Sequence, residues 1–216
     1  MHHPTIHICQ HPLLQHNLAI IRDKNSNREQ FRAAINKVTQ YILHNATGNL
    51  PLTSKIITTP LTETEARVLD SSVPIIISPV MRAGLAMADV MMDLIPSASV
   101  YHLGLYRDEK TYQPITYYNK LHSNLDYQNA RIFILDPMLA TGGSILAALK
   151  IFQQCGAIEK NITIACMIAA PEGIQAVSHA FPNITMFTGA VDQKLNENAY
   201  IVPGLGDAGD RIFGTL

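Results

Sequence analysis

Asp136 closes the apolar run Arg131-Ile132-Phe133-Ile134-Leu135 and opens the segment Asp136-Pro137-Met138-Leu139-Ala140-Thr141-Gly142-Gly143-Ser144. Such a run predicts a buried strand that delivers an acid to its carboxyl end, the place where open α/β sheets bind ligands. Gly142 and Gly143 let the backbone approach a ligand closely. A helix starting there turns its free N–H groups toward a phosphate, and the hydroxyls of Thr141 and Ser144 add donors. From Thr-Gly-Gly alone, an ordinary strand–turn–helix capped by Ser144 stays equally open. The segment is not a Walker loop, because no G-x-x-x-x-G-K-[ST] is present, and no dinucleotide fingerprint is read at a strand-to-helix turn.

Other residue types invite chemistry more weakly. Arg82 follows a second apolar run and suits either a phosphate contact or a structural ion pair. Arg107 begins a polar, Tyr-rich stretch without periodicity, a binding flap or a plain surface loop. His3, His7 and His11 are spaced at four residues, the ligand spacing of a helix, but Pro4, Pro12 and the alternation of Ile6 with Ile8 argue for a strand and structural histidines. Cys155 and Cys166 are read as buried thiols, and Met81, Met87, Met91 and Met92 as core or interface packing.

The elements that must position these residues follow from periodicity. A short strand is predicted around Ile6–Ile8. Ser26-Asn27-Arg28-Glu29 reads as a capping box opening a helix with Phe31, Ile35, Val38 and Ile42 on one face. Residues 50–61 are Thr-rich and β-branched and suit an arm; Thr62 to Glu65 reads as a second capping box, starting a helix that ends near Asp70. From residue 73 strand and helix alternate. Strands are expected at 73–78, 100–105, 131–135, 162–169 and 184–187, and helices after 84, 143 and 172, the first with Leu85, Ala88, Met92 and Ile95 as its apolar stripe. Residues 106–130 read as a long loop or flap, centred on 106–118. The pattern predicts an α/β fold, a mostly parallel central sheet flanked by helices.

Composition bounds the function classes. The chain has 216 residues, 47% of them hydrophobic and 15% charged, against roughly 25% charged in an average soluble chain. That is enough for one domain spanning residues 1–216, and the shortage of charge suggests a surface buried in a homo-oligomer. Sixteen basic and 17 acidic residues give a net charge of −1, so neither nucleic acid nor a membrane surface has an electrostatic basis as partner. No apolar run approaches the ~20 residues of a bilayer span. Met1-His2-His3-Pro4 lacks a basic n-region and an apolar h-region, and the three cysteines form no metal or disulfide pattern; a cytoplasmic protein is expected.

Five segments together resemble one family. Asp136–Ser144 is similar to the 5-phosphoribosyl-1-pyrophosphate (PRPP) loop of the type I phosphoribosyltransferases, in the form used by the uracil phosphoribosyltransferase family. Pro79-Val-Met-Arg82-Ala-Gly84, Gly104-Leu-Tyr-Arg107-Asp-Glu, Ala170-Pro-Glu-Gly173 and Ile201-Val-Pro-Gly-Leu-Gly206-Asp207-Ala208-Gly209-Asp210-Arg211 match the same family. The resemblance implies a type I phosphoribosyltransferase fold with a β-arm or hood and a flexible flap. It implies conversion of uracil and PRPP to UMP and pyrophosphate, a step of pyrimidine salvage. Arg82, Arg107 and Asp207 would contact PRPP, with Asp136, Pro137, Met138, Leu139, Ala140, Thr141, Gly142, Gly143 and Ser144 as the ribose-5-phosphate cradle. Ile201, Gly206, Asp207 and Ala208 would bind uracil, and Arg107, Asp136 and Asp207 would act in catalysis. Mg²⁺ would arrive on the substrate, held mostly by pyrophosphate and ribose oxygens and by waters, with Asp207 close to the phosphoribosyl substrate or its metal; Pro137 stands where many relatives carry a second acid. GTP is an allosteric effector of some bacterial members, and a dimer or tetramer is implied. Lys110 departs from the family's usual acid, and residues 50–78 diverge. Transfer to another base, or PRPP-sensing RNA binding, are the competing readings.

Overall fold

In the computed structural model, residues 5–107, 114–119, 121 and 125–215 are described. Thr5–Ile8 forms β1, followed by helices α1 (Pro12–Arg22) and α2 (Arg28–Ala46) and by strands β2 (Leu52–Thr58) and β3 (Glu63–Leu69). Next come β4 (Ile75–Met81), α3 (Leu85–Leu94), β5 (Ser99–Val100), β6 (Leu103–Arg107) and β7 (Pro114–Asn119). β8 (Arg131–Leu135), β9 (Met138–Leu139) and α4 (Gly143–Gln154) carry the glycine-rich segment. β10 (Ile162–Ala169), α5 (Pro171–Ala180), β11 (Thr185–Val191), β12 (Lys194–Leu195), β13 (Ile201–Val202) and α6 (Ala208–Phe213) complete the chain.

The main sheet has the order β1-β11-β10-β8-β4-β6-β7, with β5 beside β4 and β9 beside β10. Every pairing in it is parallel except β6 with β7. Leu135 lies level with Pro79 on one side and Ala165 on the other, so the carboxyl ends of β4, β8 and β10 open onto one edge. Side-chain alternation then builds two cores. Ile77, Phe133, Leu135, Ala165 and Met167 face the helical layer of α1, α2 and α3. Their neighbours Ile76, Ile132, Ile134, Ile164 and Cys166 face Ile145, Leu149, Phe152 and Val177 of α4 and α5. Both faces of the strands are covered, which is why they read as unbroken apolar runs.

Several expectations are corrected. Pro12–Arg22 is a helix that periodicity reading passed over; Pro12 sits in its first turn, His11 Nδ1 accepts from the Leu13 N–H at 3.2 Å, and Leu14, Leu18 and Ile21 are buried. His11 also stacks on Tyr41 and His7 on Phe187, while His3 lies outside the described residues. The capping box of α2 is Asn27 with Gln30, one residue later than read. No helix follows Thr62: β3 pairs antiparallel with β2 from Leu52↔Leu69 to Thr58↔Glu63, so the arm runs on past 61. Thr59 decides this, because its hydroxyl accepts from the Leu61 and Thr62 N–H groups and turns the chain back.

Part of the expected 106–130 loop is strand β7, paired with β6. The strand expected at 100–105 is two pieces, β5 and β6. In α3 the buried residues are Met87, Ala88, Val90 and Met91, and Met92 is exposed. Cys9 and Cys166 are buried, with burial pushing their thiols up to about 11 and about 12; Cys155 is only partly buried, its pKa also raised by desolvation.

Candidate active site

β8 ends at Leu135 and hands the chain to Asp136, whose Oδ1 accepts from the Met138 N–H at 3.3 Å. Burial pushes the carboxyl of Asp136 up to about 7, only partly opposed by that bond. The next three residues are stitched to β10. Pro137 C=O accepts from the N–H groups of Met167 and Ile168 at 2.9 and 3.2 Å, β9 pairs with Ile168 and Ala169, and Leu139 C=O accepts from Ala170 at 2.8 Å. Pro137 thus turns its polar group into the sheet.

The loop leaves the sheet at Ala140. Gly173 lets α5 press against it there, since a Cβ on Gly173 would lie 2.3 Å from Ala140 O. Gly142 takes φ +81° and starts α4, a backbone state that favours glycine. The first N–H groups of α4 have no partner within the helix by its geometry. Beside them lies a recess of about 50 Å³ lined by Asp136 and residues 138–145, and the Gly143 N–H reaches Thr141 Oγ1 at 3.4 Å.

Arg82 reaches the same sheet edge from β4. The turn after β4 packs against the end of β8 because residue 84 is glycine: a Cβ there would sit 2.4 Å from Leu135 O. Arg82 Nη2 lies 3.1 Å from Asp210 Oδ1, and Thr215 also donates to that carboxylate. Asp207 caps α6 by accepting from the Asp210 N–H at 2.9 Å. A Cβ on Gly209 would stand 3.3 Å from Asp207 Oδ1 and 3.7 Å from Arg82 Nη2, so Arg82 and Asp207 flank Gly209.

Ile201 is buried on β13 opposite Leu195, and Gly206 has φ +81°. The string Gly204-Leu-Gly206-Asp-Ala-Gly209 does fit G-x-G-x-x-G between β13 and α6, contrary to the sequence reading. Its flanking strand has two residues and its helix six, not the long βαβ unit of a dinucleotide site. Arg107 ends β6 level with Pro114; residues 108–113 of the expected flap, Lys110 included, lie outside the described residues.

Sequence reasoning missed Arg22, Asp192 and Arg211. Asp192 follows β11 as Asp136 follows β8, an acid at a strand's carboxyl end, and that signal was hidden because the strand was ended too early at Phe187. Arg211 bonds the carbonyls of Ile21, Leu205 and Asp23 and stacks over Phe31 at 4.1 Å.

A uracil phosphoribosyltransferase family model matches residues 8–215. The chain belongs to the uracil phosphoribosyltransferase family. It is 44% identical over 208 residues to the uracil phosphoribosyltransferase of Dictyoglomus thermophilum, covering 96% of this chain and 98% of that one. The family member of Roseiflexus castenholzii is 46% identical over 210 residues, covering 97% and 98%. Among solved structures, the AQ2163 protein from Aquifex aeolicus superposes with a TM-score of 0.89 at 31% identity, covering 98% of this chain and 99% of that one. This family chain is a phosphoribosyltransferase with an α/β fold.

The family implies Mg²⁺, and the residues present fit an ion carried in on substrate. Among the described residues no three His, Cys, Asp or Glu side chains gather into a cage. Asp207 Oδ1 accepts from the Asp210 N–H, and its other oxygen would be the one to meet a hydrated cation carried in on phosphate oxygens.

Proposed function

We propose that the chain transfers the 5-phosphoribosyl group of PRPP to N1 of uracil, giving UMP and pyrophosphate in pyrimidine salvage. The observation that carries this reading is spatial. Arg82 and the 136–144 segment follow adjacent strands at the carboxyl edge of one parallel sheet, and Arg82 pairs there with Asp210 of the 201–210 segment, far apart in sequence. In this reading the helix-start N–H groups of α4, with Thr141 and Ser144, bind the 5-phosphate. Asp136 accepts from the ribose hydroxyls and stabilises the positive character that grows on the ring as the glycosidic bond breaks. Arg82 and Arg107 hold pyrophosphate oxygens, and Asp207 stands beside both substrates. Mg²⁺, when bound, neutralises charge on the leaving pyrophosphate. Ile201, Gly206, Asp207 and Ala208 hold the uracil ring, so that N1 lies in line with the carbon it attacks; catalysis is mainly positioning and charge stabilisation.

The protein acts as a cytoplasmic homo-oligomer with the β2–β3 arm at its contacts, residues 106–118 form a flap over the substrates, and the remainder of 1–216 forms one catalytic domain. The test is direct: labelled uracil, PRPP and Mg²⁺ are mixed with the protein, and UMP and pyrophosphate are counted. Equal amounts of both products support the reading, and no UMP refutes it. GTP added to the same assay reveals whether it is an effector here.

A further inference from the structure

Gly204 lies inside the segment assigned to uracil, yet its own polar groups are turned away from any ligand. Its N–H donates to Asp192 Oδ2 at 2.8 Å, and its C=O accepts from Arg22 Nη1 at 2.9 Å. Arg22 and Asp192 are themselves joined as a fork, Nη1 to Oδ2 at 2.8 Å and Nη2 to Oδ1 at 2.6 Å. Asp192 is nearly buried, its side chain 4% exposed. The four groups close a ring that no single-donor side chain could complete, because Arg22 Nη1 serves the carboxylate and the carbonyl together. Gly204 has φ +63°, and a Cβ there would lie 2.1 Å from Ile201 O, so the turn admits no other residue. Arg211 takes the next carbonyl, Leu205 O, at 2.8 Å.

We propose that Arg22 and Asp192 are positioning residues for the base: by fixing both main-chain groups of Gly204 they set where Ile201 and Gly206 stand, and so the affinity for uracil. This rests on the reading that residues 201–208 hold uracil. Arg22 sits in the last turn of α1 and Asp192 at the end of β11, so the clamp ties the base loop to the helical layer and to the sheet at once. A fixed backbone edge discriminates only while its position is held, and a displacement near 1 Å is already costly.

The test uses the full chain with Arg22→Met, Arg22→Lys and Asp192→Asn, each checked for folding by circular dichroism and thermal midpoint, with Gly206→Val as the site control. Arg22→Met is expected to raise KM for uracil by about 10–100-fold while KM for PRPP moves by less than about twofold. Arg22→Lys, which keeps the charge but lacks the planar fork that spans both carboxylate oxygens and the carbonyl, falls between Arg22→Met and the parent. Unchanged uracil KM in a folded Arg22 or Asp192 variant overturns the proposal, as does an equal rise in both KM values. If none of the three folds, the pair is purely structural and the proposal falls. Should Gly206→Val alone raise uracil KM, the base site stands and only the clamp fails; should Gly206→Val also leave it unchanged, the base-site reading fails first.

Discussion

Asp136 shows what a single residue's surroundings do to its chemistry. Its carboxyl is partly buried at a strand end with one N–H donor, and desolvation raises its pKa from 3.8 to about 7. The free protein therefore holds Asp136 mostly neutral below about 7, whereas accepting ribose hydroxyls calls for the carboxylate. A raised acid contributes most to stability when protonated in the fold, and that contribution is lost as pH rises from about 4 through about 7. Asp136→Asn should thus raise the thermal midpoint at pH 8 and leave it near the parent's at pH 4. For the parent enzyme, kcat/KM for PRPP, which reports the free protein, should fall as pH drops below about 7. The variant's residual activity should lack that limb and be lower by about 10²-fold or more. A parent profile flat across pH 6–8 would remove Asp136 from its role.

At the scale of elements, what was legible in sequence was whatever packs on both faces. β8 and β10 appear with the bounds that their apolar runs predict, because every residue there but Arg131 is buried whichever way it points. α1 was not legible: His11 is an uncommon cap, and the stripe Leu14, Leu18 and Ile21 is blurred by apolar Leu13, Ala19 and Ile20 beside it and by buried Asn17. The Thr62–Glu65 box misled because capping residues are equally at home in a turn, and pairing with β2 outweighed local helix propensity. At the candidate site, the 136–144 segment was legible as a strand-to-helix turn, since that pattern is local. The Arg22–Asp192 clamp was not, being a contact across 170 residues.

The strand-to-helix joint yields a paired prediction that separates fold from function. A Cβ on Gly142 would meet Gly173 O and Val177 Cγ2, both at 3.2 Å, in a backbone state of φ +81°, whereas one on Gly143 meets only Thr141 Oγ1 at 3.6 Å. Gly142→Val should therefore lower stability by about 1–3 kcal/mol. Gly143→Val should melt within a few degrees of the parent yet raise KM for PRPP by about tenfold or more, since its methyls fill the recess. Melting curves and PRPP titrations read the two apart. Wild-type kinetics in folded Gly143→Val would mean that the recess is not the phosphate cradle.

The whole molecule carries one feature that a lone chain does not explain. Every residue of β2 is exposed, with Ile56 at 64% and the hairpin-tip Leu61 at 94%. An isolated two-stranded hairpin is marginal in water, and exposed apolar groups on both its faces suit a contact with a second copy. If the arm joins two copies, Ile56→Asp with Leu61→Asp should lower the sedimentation coefficient without changing the circular dichroism spectrum; unchanged sedimentation would remove the arm from any such contact.

Base choice is read on the hydrogen-bonding edge of the ring. Uracil offers acceptor, donor and acceptor along O4, N3–H and O2, and cytosine replaces the O4 acceptor and N3 donor by a donor and an acceptor. In the proposed base site, main-chain groups around Ile201 and Gly206 cannot exchange those roles, so cytosine would leave polar groups opposed, a mismatch that hydrogen-bonding sites reject by about 10⁴–10⁵-fold. The most direct measurement is a competition in which equimolar labelled uracil and cytosine meet PRPP and the protein, and UMP and CMP are resolved. The predicted result is UMP accumulating to completion with CMP at background. Comparable yields of the two nucleotides, or cytosine consumed first, would contradict the account.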